Sequence, residues 1–188
     1  MQDARDGREL WVRGERILTG GAVGPRALRV KDGVIAEIAD AATIPAGAAV
    51  IDAGSLVVMP GLVDSHVHVN DPGRADWEGF ETATRAAAAG GVTTILDMPL
   101  NSIPSTTDRP ALEAKLAAME GRAHVDVALC GGLVKGNVGE LASLVDAGVM
   151  AFKCFLAESG VDEFAFVDEP ELAAGMRRLA ELGATLLV

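Results

Sequence analysis

A chain of 188 residues, 49% of them hydrophobic, has room for one domain, or one and a part, around a sizeable core. Its net charge of −11 disfavours a nucleic-acid backbone or an anionic membrane surface as partner. No apolar run reaches transmembrane length, the opening MQDARDGREL lacks the core of a signal peptide, and Cys130 and Cys154 are too few for a disulfide scaffold, so reduced thiols in a cytoplasm are expected.

Residues 1–58 are expected to hold a small β module. Strands are predicted over 10–13 and 16–18, flanking Gly14-Glu15, then over 27–31 and 34–38, flanking Asp32-Gly33. Asp-Gly between two apolar runs is a strong two-residue hairpin signal. Strands over 49–52 and 56–58 follow. From Leu62 the pattern turns to strand, helix, strand, helix. A strand over 62–69 precedes a helix over 77–89 that stops at Gly90-Gly91. A strand over 92–98 is broken by Pro99. Asp108 caps the next helix, with Pro110 in its first turn, an apolar stripe of Leu112, Leu116 and Met119, and Gly121 at its end. A strand over 125–130, a helix over 138–147 carrying Val138, Leu141 and Val145 on one side, and a strand over 150–156 follow. Asp168 and Glu171 form a capping box for a helix with a Leu172, Met176, Leu179 stripe, and residues 185–188 begin one more strand.

Strands alternating with helices imply β-α-β units and a parallel sheet. Five such strands fit a small open sheet, or the first five of an eight-stranded barrel. The candidate site residues favour the barrel, because they lie at the C-terminal ends of strands one and four. The last strand has no helix after it, which points the same way. The expected fold is therefore α/β: part of a (β/α)8 TIM barrel over residues 59–188, preceded by one half of a composite β-sandwich.

The stretch MPGLVDSHVHVNDPGR, residues 59–74, carries the first chemistry. Side chains alternate along a strand, so His66 and His68 share a face, with Asp64 on the same side. Two imidazoles at a strand end can hold a metal ion from one side. Solvated or structural histidines are the plainer reading, and the apolar entry and abrupt polar exit argue against it. Asp64 lies deeper in the strand and is read as structural. Lys153 sits in the apolar run MAFKCFL. Burial of an ammonium is costly, which drives the amine toward neutrality. Such a lysine can snorkel to solvent, form a Schiff base, or take up carbon dioxide as a carbamate whose two oxygens bridge two metal ions. The histidine pair selects the carbamate, since imine chemistry has no use for it. Cys154 alternates away from Lys153 and is read as a packed thiol. His124 precedes the third strand, at the opposite end from these groups.

Three motifs in order, MPGLVDSHVHVNDPGR, DWEGFETATRAAAAGGVTTILDMPLNSIPST and FKCFL, resemble the cyclic amidohydrolases of the amidohydrolase superfamily. The resemblance implies two divalent metal ions, zinc by expectation. His66 and His68 would hold the first, and N6-carboxylated Lys153, the catalytic lysine, would bridge the two. It also implies a homotetramer acting on a small molecule in the cytoplasm. Asn70 stands where dihydroorotases carry a carboxylate-binding arginine, and hydantoinases carry a tyrosine that this chain lacks. With Asn101 as a second substrate contact, the implied reaction is the opening of allantoin to allantoate. Dihydroorotase-like, hydantoinase-like and non-catalytic scaffold relatives are the alternatives. The family's further ligands, two histidines and an aspartate, are expected beyond Val188. On that expectation the chain is the N-terminal portion of a longer protein and inactive by itself.

Overall fold

The computed structural model describes residues 9–149 and 151–188. The chain divides into two compact units at Pro60/Gly61. The first is a sheet of β1 (Glu9–Thr19), β2 (Ala22–Lys31), β3 (Val34–Ala39) and the short β4 (Val50–Asp52) and β5 (Val57–Val58). The order is β3-β2-β1-β4, with β5 also on β1. Asp32-Gly33 makes the expected β2–β3 turn at φ 52° and 79°, the left-handed pair such a hairpin needs. A second hairpin, at Gly20-Gly21, joins β1 to β2 and was not anticipated. The expected break at Gly14-Glu15 is instead a bulge inside one long strand, where the register shifts between Gly14 and Ile17. The Glu15 N–H donates to the Gly54 carbonyl at 2.9 Å, so the bulged segment stays paired and has no reason to turn. A β-sandwich requires a second sheet; the described residues of this unit form one.

The second unit alternates strand and helix as the sequence pattern requires. Its elements are β6 (Leu62–Val67), α1 (Phe80–Ala89), β7 (Val92–Asp97), α2 (Arg109–Met119), β8 (Asp126–Gly132), α3 (Leu141–Asp146), β9 (Ala151–Lys153), α4 (Glu169–Leu182) and β10 (Thr185–Leu187). All strand pairs are parallel, in the order β10-β9-β8-β7-β6. One face of the sheet packs on the helices: Val69 and Ile95 meet Phe80, and Leu129, Phe152 and Cys154 join Leu112, Leu141, Leu144 and Leu179. Cys130 and Ala151, one residue out of step, form a separate cluster with Met98, Leu100 and Phe164.

Several boundaries differ from expectation for local reasons. α1 starts at Phe80 and not Trp77, because the Trp77 N–H bonds to Arg74 O and the extended Gly79 N-cap turns its N–H to Glu78 and Thr82. β6 ends at Val67, two residues early. β9 ends at Lys153, after which Cys154 still bonds to Leu187 O before the chain leaves as a loop; Met150 lies outside the described residues. A 3-10 turn, Val138–Glu140, precedes a shorter α3. On α4 the capping box of Asp168 and Glu171 forms as expected, but Met176 is 54% exposed and Gly175 is buried. A Cβ on Gly175 would fall 2.4 Å from Leu133, so only glycine lets that leucine seat on the helix.

α2 shows a larger shift. Asp108 caps it by accepting the Ala111 N–H at 2.8 Å. Its buried face is Ala111, Leu112 and Lys115, while Leu116 is 39% exposed. Lys115 is drawn inward by Asp97 at the end of β7: Nζ donates to Oδ2 at 2.6 Å and to the Met98 carbonyl at 3.1 Å. The other carboxylate oxygen accepts the Val69 N–H at 2.9 Å. Burial pushes the Asp97 carboxyl up, and Lys115 and the Val69 N–H pull it back. Both side chains are essentially inaccessible, so loss of one partner strands a buried charge. Lys115→Met should therefore cost about 3–5 kcal/mol, read as a lowered denaturant midpoint. An unchanged midpoint would mean the pair carries no structural role.

Candidate active site

Strand alternation places Val67 and Val69 toward the helices, and His66 and His68 on the opposite face. Their ring centres lie 5.4 Å apart at an interplanar angle of 44°. Lys153, on the Ala151 face of β9, brings Nζ to 3.2 Å from His66 Nε2 and 5.2 Å from the centre of the Phe155 ring. β6 and β9 are separated by two strands in the sheet order. In a flat sheet three strand spacings come to about 14 Å. A side-chain contact at 3.2 Å across that gap requires the sheet to curl with these residues on its concave face. Burial, together with the nearby charges of Lys153 and His66, holds the His68 imidazole below its usual pKa.

The other expected site residues fall unevenly. Asn101 follows β7 at φ 71°, with Nδ2 3.3 Å from His68 Nδ1. It meets the histidine directly, which its reading as a substrate contact did not foresee. Asn70 follows β6 at φ 65° and is 9% exposed. Its Oδ1 is buried without a hydrogen-bond partner among the described residues. Asp64 accepts the His66 N–H at 3.1 Å, in keeping with a structural part. His124 lies just before β8, where its N–H donates to Thr84. Cys154 is buried, as is Cys130, whose thiol burial pushes up to about 12. Among the described residues no three His, Cys, Asp or Glu side chains gather as a metal cluster, so these residues alone do not build the expected two-ion centre.

The loops around the histidines are held by ion pairs that sequence reading missed. Arg74 Nη1 donates to the Asn101 carbonyl at 3.0 Å and pairs with Glu163, while its Cζ sits 4.9 Å from the Trp77 ring centre. Asp71 pairs with Arg122, which also donates to the Ala118 carbonyl at 2.6 Å. Arg74 stood in a motif that marked its loop but not its partner. Glu163 lies in a non-periodic acidic stretch and carried no signal.

Residues 57–182 match the amidohydrolase family. The chain belongs to that family. It is similar to the allantoinase of Streptomyces avermitilis, with 51% identity over 181 residues, covering 96% of this chain and 41% of that protein. It is 46% identical to a probable allantoinase of Oryza sativa, covering 95% of this chain and 36% of that one. Among solved structures, L-hydantoinase (dihydropyrimidinase) from Arthrobacter aurescens superposes with a TM-score of 0.86 at 35% identity, covering 94% of this chain and 39% of that one. The chain thus spans about two fifths of the length of the curated relatives it matches.

The Arg74 guanidinium holds the Glu163 carboxyl below the usual carboxylate range. A carboxyl depressed on folding stabilises the protein fully above its unfolded pKa, about 4.3 for Glu, and that contribution is lost as pH falls through the folded value. Glu163→Gln should therefore lower the urea midpoint at pH 7, with the difference from wild type closing below about pH 4. An equal difference at both ends of that range would contradict the ion pair's contribution.

Proposed function

We propose that the whole protein hydrolyses a cyclic ureide, opening allantoin to allantoate, and that this chain contributes one side of its metal centre. The convergence of His66, His68 and Lys153 on one concave face carries the reading. The donor set fits divalent metal: two imidazoles suit zinc, and a lysine amine is already turned toward them. Two bound ions would supply a Lewis acid for the amide carbonyl and a water acidic enough to attack it near neutral pH. His66 and His68 would hold metal, and Lys153, once carboxylated at Nζ by carbon dioxide with release of a proton, would add an anionic oxygen ligand. The parallel sheet is read as five of eight barrel strands, at whose C-terminal mouth such sites lie. The further ligands, and the second sheet of a composite β-sandwich, would come from parts of the relatives that this chain does not span.

Asn70 bears on the substrate. Its orphaned buried Oδ1 is relieved by an N–H donor, which a ureido or hydantoin ring offers. A carboxylate such as that of dihydroorotate calls for a cation there. The likeness to L-hydantoinase favours a hydantoin-opening alternative. The higher identity to allantoinases, and the lack of any tyrosine, weigh against it. A homotetramer and a cytoplasmic location rest on family resemblance alone. Among the described residues, no helix is long and apolar enough to cross a membrane.

The full-length protein should turn over allantoin and leave dihydroorotate untouched. Asn70→Arg should lower kcat/KM for allantoin about a hundredfold, the scale of about 2.7 kcal/mol for losing a well-placed polar contact. Preference for dihydroorotate would sink the assignment. Lys153→Ala should lose both turnover and stoichiometric metal, with partial rescue by a short carboxylic acid. Wild-type metal content in that variant would rule out the bridging role.

A further inference from the structure

We propose that Arg74 is a positioning residue of this site, acting on His68 through Asn101; the proposal rests on the reading of His68 as a metal ligand. One guanidinium spans three loops. It donates to the Asn101 carbonyl after β7 at 3.0 Å, pairs with Glu163 in the loop after β9, and itself belongs to the loop after β6. Two more contacts join the loops after β6 and β7. The Ile103 N–H donates to the Pro72 carbonyl at 2.8 Å, and Gly73, at φ 91°, lies so near Ile103 that a Cβ would fall 2.7 Å from the isoleucine's own.

These contacts converge on Asn101, which sits at φ 71°. Asparagine enters that left-handed region more readily than other non-glycine residues, and here the Arg74 contact holds its carbonyl. With its backbone so held, Asn101 presents its carboxamide to His68 Nδ1 at 3.3 Å. Nδ2 is a donor, so Nδ1 accepts, the neutral ring of the metal-free protein keeps its proton on Nε2, and the ring plane is fixed. Among the described residues Arg74 makes no hydrogen bond with His68, so its action on the ring runs through Asn101.

Selective 15N labelling of histidine in the full-length, metal-free protein reads the His68 tautomer at a single alkaline pH, where imidazoles are neutral. Wild type should show one tautomer. Arg74→Ala and Asn101→Ala should each give averaged ring shifts, and the double variant should do no more than either alone. Arg74→Lys keeps a charge beside Glu163, but its ammonium on a shorter stem falls short of the Nη1 position that serves both Glu163 and the Asn101 carbonyl, so it should average the shifts as well, and it decides the matter if Arg74→Ala does not fold. Glu163→Gln leaves Arg74 an acceptor and should retain the wild-type pattern. A wild type already averaged, or a folded Arg74→Ala or Arg74→Lys with wild-type shifts, overturns the proposal whatever its Tm. The readout involves neither metal nor allantoin, so its failure and that of the hydrolase reading are separate results.

Discussion

The buried Asp97–Lys115 pair is the constraint on which the rest of this site depends. Asp97 accepts the backbone N–H of Val69, the residue between His68 and Asn70. Lys115 adds the Met98 carbonyl, one residue past β7. A single ion pair therefore ties the ends of two adjacent strands to α2, on the face away from the histidines. Removing two charges from water costs several kcal/mol, which their attraction repays only with good geometry and further hydrogen bonds. Here two further hydrogen bonds accompany the 2.6 Å pair: the carboxylate accepts a backbone N–H and the ammonium donates to a carbonyl. The arrangement contributes a fixed floor under the site more than net stability.

On the other face, curvature does the assembling. Lys153 and His66 come from strands that are not neighbours, and they meet only because the sheet bends around Met98, Leu100, Cys130, Ala151 and Phe164. Small residues permit that bend at close range. A Cβ on Gly132 would strike the Phe164 ring at 2.5 Å. The loops that leave the strand ends are then tied to one another by Arg74 and Glu163. Site geometry thus rests on three layers: a buried pair beneath, a curved sheet between, and ion-paired loops above.

How much of this was legible in the sequence follows from how local each signal is. Strand alternation put His66 with His68 and Lys153 away from Cys154, because a period of two needs no knowledge of neighbours. The Asp108 and Asp168 caps were legible for the same reason. Lys115 was not: a lysine on an amphipathic helix reads as solvated, and only the partner at Asp97, in another element, turns it inward. That inward turn also displaced the apparent stripe of α2, leaving Leu116 exposed. Arg74 and Glu163 were illegible as a pair, since 89 positions separate them in the chain. The contact of Asn101 with His68 was not legible, because a side chain's reach past a strand end depends on a φ that the sequence does not state.

We propose above that His66, His68 and Lys153 form one side of a metal centre. Anomalous diffraction at the zinc edge, on crystals of the full-length protein grown with zinc and bicarbonate, tests it most directly. Metal is expected about 2.1 Å from nitrogens of His66 and His68, with extra density beyond Lys153 Nζ for a carboxyl group. An unmodified Lys153 amine still facing His66, with no anomalous peak beside either histidine, would contradict it.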